Sequence, residues 1–119
     1  MLQKIDILGV HTEVDDNLRK YVMKKIGGID RYLSRPSKKA AHVEVRLKEG
    51  KAKDKKQCTC EVTLHVPQGT LVVQESTLNM YAAVDIVEAK LKHRIKKYKE
   101  SHSNKFRRRL FARFNRKMA

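Results

Sequence analysis

Between residues 90 and 99 the chain reads Lys-Leu-Lys-His-Arg-Ile-Lys-Lys-Tyr-Lys, and six of those ten residues are lysine or arginine. These side chains neutralise phosphate. Lysine supplies a point charge, and arginine adds a planar fork that grips a phosphate with two bonds. Their spacing is ordered by the apolar residues between them. Met80, Val84, Val87, Leu91, Ile95 and Tyr98 step by 4, 3, 4, 4 and 3, which predicts a helix from near Asn79 to about Lys99 with one buried stripe. At 1.5 Å per residue it would be about 30 Å long. With the stripe set at zero and 100° per residue, Lys90, Arg94 and Lys97 fall on one flank. Lys92, Lys96 and Lys99 fall on the other. The C-terminal half of this helix is therefore basic on both sides of its seam.

The charge continues past the helix. Residues 90–119 carry +12 of the total +15 of this 119-residue chain. Such a concentration calls for a polyanionic partner, and a pI near 10.1 is the footprint of a nucleic-acid binder. The run Arg107-Arg108-Arg109 suits phosphate contact. Phe106, Leu110 and Phe114 recur at spacing four, so the tail has the pattern of a short basic amphipathic helix, which also fits a membrane surface. Net charge, tail and helix agree on a polyanionic partner, and charge alone does not separate nucleic acid from an anionic membrane. The expected division is a folded domain over 1–100 and an arginine-rich tail over 101–119 that is flexible when free. Contacts of this kind give affinity through counterion release but read no base sequence.

Other chemistries find little support. Cys58 and Cys60 lie two apart in a strand pattern and read as small apolar core residues, not as metal ligands. The five histidines, His11, His42, His65, His93 and His102, are scattered over different elements. No catalytic triad or phosphate-cradling glycine loop is present. The expectation is a protein with no enzymatic activity, no metal, no cofactor and no small-molecule substrate. No signal peptide and no run of about 18 apolar residues appear, and unpaired cysteines fit a reducing cytoplasm.

The rest of the chain supplies the frame. Gln3–Leu8 alternates as a short strand. A helix is expected from Asp16 to Leu33, capped by Asp15, with Leu18, Val22, Ile26, Ile29 and Leu33 on one stripe and Gly27-Gly28 as a weak point. Pro36 should end it near Arg35. Ala41, Val43, Val45 and Leu47 face one side of a second strand. Residues 49–56 read as a polar loop carrying Lys51, Lys53, Lys55 and Lys56. Cys58, Cys60, Val62, Leu64 and Val66 face inward on a third strand. Pro67-Gln68-Gly69 is a hairpin turn, and Thr70–Glu75 is a fourth strand whose facing the contiguous Leu71, Val72 and Val73 leave open. The fold class is α+β: β-α-β-β-β-α, a four-stranded sheet with two helices on one face and a wet, polar opposite face. The first two strands should pair in parallel across the helix, and the hairpins make the rest antiparallel. Lys24 and Lys25 would extend the basic surface if the two helices lie side by side.

The stretch Asn-Met-Tyr-Ala-Ala-Val-Asp followed by Lys-Leu-Lys-His-Arg-Ile-Lys-Lys-Tyr-Lys resembles the second-helix signature of the bacterial ribosome hibernation-promoting factors. That group includes ribosome-associated inhibitor A. The opening Lys-Ile-Asp-Ile-Leu-Gly-Val, the segment Leu-Arg-Lys-Tyr-Val-Met-Lys-Lys-Ile and the Pro-Gln-Gly-Thr-Leu hairpin are similar too. The resemblance covers about residues 2–107. It fits either a short member or the N-terminal domain of a long one. It implies a fold similar to double-stranded-RNA-binding domains. It also implies binding to ribosomal RNA of the small ribosomal subunit, on its own or within whole ribosomes, in the channel of messenger and transfer RNA. Initiation would thereby be blocked in resting cells. Lys25, Lys90, Lys97 and Lys99 match its basic positions. The signature's arginine falls at His93 and its glutamine at Arg94, which moves one cationic group about 100° around the helix. The full expected RNA-binding set is Lys24, Lys25, Lys90, His93, Arg94, Lys97, Lys99, Arg107, Arg108 and Arg109. The rival expectation is a structural ribosomal protein or a general double-stranded-RNA-binding module.

Overall fold

Alternating apolar residues build a four-stranded sheet, and the computed structural model describes it over residues 4–33, 35–67 and 69–97. The strands are β1 (Ile5–Val10), β2 (His42–Ala52), β3 (Lys55–Val66) and β4 (Gly69–Thr77), in the order β1-β2-β3-β4. β1 and β2 are parallel, with Ile7 beside Val45. The β2–β3 and β3–β4 pairs are antiparallel. The expected topology is the observed one.

Helix α1 (Asp16–Gly27) begins where the sequence places it. The Asp15 side chain accepts from the Leu18 amide at 2.7 Å, satisfying one of the donors a helix start leaves open. Asp16 lies in the first turn and Lys24 and Lys25 in the last, matching the helix dipole. The far end departs from expectation. The α-helix stops at Gly27, and the chain continues as a 3-10 turn over Gly28–Tyr32. Glycine is among the poorest helix formers, and two in succession let the chain tighten. Ile29 and Leu33 stay buried all the same.

Two further expectations need correction. Arg35 opens a second short helix, α2 (Arg35–Ala40), instead of lying in a terminating loop. Pro36 falls in its first turn, where a missing amide hydrogen removes no intrahelical bond. Residues 49–56 are not a polar loop. β2 and β3 run on until Ala52 faces Lys55. Lys53 and Asp54 close the hairpin with φ of 53° and 63°, as a primed two-residue turn requires. β1 ends opposite Lys48 and β4 opposite Cys58, so this lysine-bearing ribbon projects beyond its neighbours.

The third helix, α3, is helical over 80–97. One core cluster joins its Met80, Ala83, Val84, Val87, Leu91 and Ile95 to Leu18, Val22 and Ile26 of α1. The same cluster takes in Val43, Val45 and Leu47 of β2, Cys58, Cys60, Val62 and Leu64 of β3, and Val73 of β4. Leu71 and Val73 point to the helices while Val72 is exposed, which settles the facing of β4. The core holds no buried polar or charged side chain among the described residues. Burying each Leu or Ile there contributes about 1.5–3 kcal/mol. The opposite face carries Asp6, His42, Glu44, Arg46, Thr59, Glu61, Thr63, His65 and Gln74, and lies open.

Candidate nucleic-acid interface

The start of α3 is set by a compact cap. Asn79 Oδ1 accepts from the Tyr81 amide at 2.8 Å, and the Asn79 amide donates to Thr77 Oγ1 at 3.1 Å. Leu91 and Ile95, both 0% exposed, then fix the rotation of the basic turns. As far as Lys97 the flanks fall as the periodicity predicts, and each now has a neighbour; Tyr98 and Lys99 lie outside the described residues.

On the β4 side, Lys90 forms an ion pair and hydrogen bond with Glu75. Glu75 lies on the helix-facing side of β4, opposite Cys60. The Lys90 hydrogen bond holds its carboxyl below the usual range. Arg94 and Lys97 follow on this flank and are exposed. Lys90 is thus present at the surface, with much of its charge answered by Glu75.

On the α1 side the flank changes sign along its length. Asp85 and Glu88 come first, and Lys92 and Lys96 follow. The two helices do lie side by side: the Tyr21 hydroxyl donates to Asp85, and the Tyr21 and Tyr81 rings meet edge-on at 5.0 Å. The bond to Asp85 is the main reason the Tyr21 phenol is pushed up to about 12; burial and the charges of Asp85 and Glu88 add to it. Lys25 points into this seam. Its Nζ lies 3.7 Å from Asp85 and 4.0 Å from Glu88, and 5.7 Å from the Tyr21 ring centre. Lys24 is exposed and has no ion-pair partner among the described residues.

Sequence reasoning missed one part of this surface. Tyr32, at the end of the 3-10 turn, sits between two cations, with Arg31 5.8 Å and Lys92 5.1 Å from its ring centre. Arg31 Nε also donates to the Gly28 carbonyl at 3.0 Å. Cation–ring contacts of this kind hold a charged group at the surface without neutralising it. The adjacency of Arg31 and Tyr32 was visible; their approach to Lys92 depends on how the 3-10 turn meets α3.

Of the expected site residues, Lys24, His93, Arg94 and Lys97 stand exposed without an ion-pair partner among the described residues. Lys25 and Lys90 are engaged by acids. Lys99, Arg107, Arg108 and Arg109 lie outside the described residues. Lys96, Lys92 and Arg31 join the exposed or half-exposed set. The arrangement is a broad cationic surface around the C-terminal turns of α3, suited to several phosphates at once.

Cys58 and Cys60 are free and buried, and burial pushes the Cys60 thiol up to about 12. His65 does project from the opposite face of the strand, as expected. His42 and His65 lie on different elements, β2 and β3, as read from the sequence, and strand pairing brings their rings together. No described helix is long and apolar enough to cross a membrane.

Residues 5–103 match the family model described as Sigma 54 modulation protein / S30EA ribosomal protein. The chain is 36% identical over 102 residues to the ribosome hibernation promotion factor of Lactococcus lactis subsp. cremoris, covering 86% of this chain and 52% of that protein. It is 33% identical over 101 residues to the ribosome hibernation promoting factor of Pseudomonas putida, covering 85% and 91%. The chain therefore spans about half the length of the Lactococcus relative and most of the Pseudomonas one. Among solved structures, the Thermus thermophilus Protein Y N-terminal domain matches with a TM-score of 0.63 at 25% identity, over 81% of this chain and 99% of that one. A ribosomal subunit interface protein from Coxiella burnetii matches with a TM-score of 0.68 at 21% identity, over 82% and 99%. The second likeness is one of fold alone.

Proposed function

The chain belongs to the Sigma 54 modulation protein / S30EA ribosomal protein family, and from that membership we propose that it is a ribosome-associated hibernation factor acting by binding alone. Its target in this reading is ribosomal RNA of the small subunit, in the channel used by messenger RNA and the anticodon ends of transfer RNA. Occupation of that channel blocks initiation, and the place of action is the cytoplasm.

The observation that carries the reading is the exposed cationic end of α3. His93, Arg94, Lys96 and Lys97 project from a helix whose buried seam fixes their directions. A rigid surface of this kind loses little side-chain freedom on meeting a fixed array of phosphates. Arg94 supplies a two-bond phosphate grip, and the lysines supply charge. The tail over 101–119, with Arg107, Arg108 and Arg109, adds further charge to the same attachment.

Co-sedimentation with purified ribosomes tests the reading. The protein is expected to travel with small subunits and to compete with initiator transfer RNA. If about 6 to 10 phosphates are neutralised, affinity falls by about 10³ to 10⁵ between 50 and 200 mM salt. Failure to travel with small subunits at moderate salt would overturn it. Stoichiometric presence on translating ribosomes would favour a structural ribosomal component instead.

A further inference from the structure

The open face of the sheet carries a cluster that the ribosome-binding surface does not use. The register of β2 and β3 sets His42 directly opposite His65. Their rings stack with centres 5.6 Å apart and an interplanar angle of 23°. Glu44 lies two residues along β2, so its side chain shares their face. Its Oε2 is 3.8 Å from His65 Nε2. From β1, Asp6 sits opposite Glu44 and brings Oδ2 to 2.8 Å from His42 Nε2.

One ligand atom from each of His42, Glu44 and His65 lies within 4.8 Å of the others. In a tetrahedral zinc site with bonds of about 2.0–2.2 Å, ligand atoms are about 3.4 Å apart. Small side-chain rotations close that gap. His65 already has a partner for its second nitrogen, since Thr70 Oγ1 lies 3.4 Å from Nδ1. Such an outer contact orients a ligating imidazole and leaves Nε2 for the metal.

We propose that His42, Glu44 and His65 form a zinc-binding site on the open sheet face, with Asp6 placed to take the fourth position. The chemistry of the donor set argues for zinc. Two imidazoles and a carboxylate suit a borderline divalent cation, whereas magnesium and calcium prefer oxygen throughout. The contacts that the metal would replace are exposed acid–histidine pairs, which are individually weak. Bound zinc would tie three adjacent strands together near the start of β1, a parallel edge strand.

The test uses the full chain without an added histidine tag. Zinc ion is titrated against a chromophoric chelator, and cobalt ion is followed by its visible absorption. The expected results are saturable binding of one zinc per chain, a tetrahedral cobalt spectrum, and a melting temperature that rises with zinc. H42A and H65A each weaken binding about tenfold or more, and the double variant abolishes the thermal shift. All substituted positions are at the surface, and circular dichroism checks that the variants fold. Absence of saturable binding below millimolar zinc, or unchanged affinity in the double variant, would overturn the proposal. Ribosome sedimentation reads out a different surface, so either result can fail without the other.

Discussion

Nζ of Lys25 lies 3.7 Å from Oδ1 of Asp85, across the seam between α1 and α3. The pairing separates two lysines that are neighbours in sequence. Lys24 faces solvent, while the charge of Lys25 is directed at Asp85 and Glu88. A lysine already held by two acids must release them to bind phosphate, so position alone does not make it a strong phosphate ligand.

Ribosome affinity should therefore respond unequally to removal of basic residues. Substituting Arg94 or Lys97 by glutamine is expected to weaken binding. Each should also lower the slope of log affinity against log salt by about 0.9 for every phosphate left without its cation. Lys25→Gln should change the slope by less. Filter binding or sedimentation over a salt series measures this. Equal slope changes at all three positions would contradict the pairing of Lys25 with Asp85 and Glu88.

Tyr21 should titrate late. Its phenol is raised from 10.0 to about 12, first by the hydrogen bond to Asp85. A raised phenol stabilises the fold fully below its unfolded value, and that contribution disappears as pH rises through the folded value. Stability from this contact is thus lost between about pH 10 and 12. Ultraviolet titration of wild type and Asp85→Asn should show one tyrosine moving down in the variant.

The Lys90–Glu75 pair behaves in the opposite sense. Glu75 is lowered by the Lys90 hydrogen bond, then by the Ser76 amide and the Lys90 charge. Its contribution is present above the ordinary glutamate value and is lost as pH falls through the lower folded value. Glu75→Gln should melt slightly below wild type near neutral pH. The difference should shrink on acidification, and a difference that persists unchanged into strong acid would count against the pair.

Leu91 anchors the basic turns, with no exposed surface and a place in the shared core. Leu91→Ala should cost about 2 to 5 kcal/mol in urea unfolding. Where the variant still folds, ribosome affinity should also fall, because the seam no longer holds the flanks at fixed angles. A cost below about 1 kcal/mol would mean that α3 is held by other residues.

Much of this molecule could be read in one dimension. Strand alternation placed Val43, Val45 and Leu47 together, and Cys58, Cys60, Val62 and Leu64 with them, because side chains on a strand alternate whatever the strand pairs with. The α3 stripe was legible for the same reason, with the helical period of about 3.6. Errors fell where a local signal had two outcomes. Gly27-Gly28 could kink or end a helix, and it produced a 3-10 turn. The lysines of 49–56 looked like a loop because Ala52 alone among those residues is hydrophobic, yet antiparallel pairing carried both strands up to the Lys53-Asp54 turn.

The sequence by itself determined the buried faces of α1, β2, β3 and α3, and therefore where the charges of α3 point around its axis, whereas the facing of β4 waited for the structure. Only the tertiary structure decided which charges remain available and which side chains meet. Lys25 is answered by Asp85, Lys90 by Glu75, and His42 finds His65, through contacts between residues 60, 15 and 23 positions apart. Periodicity is set by backbone geometry within a few residues. Register and helix packing are set by turns and by a core drawn from the whole chain, so no local pattern encodes them.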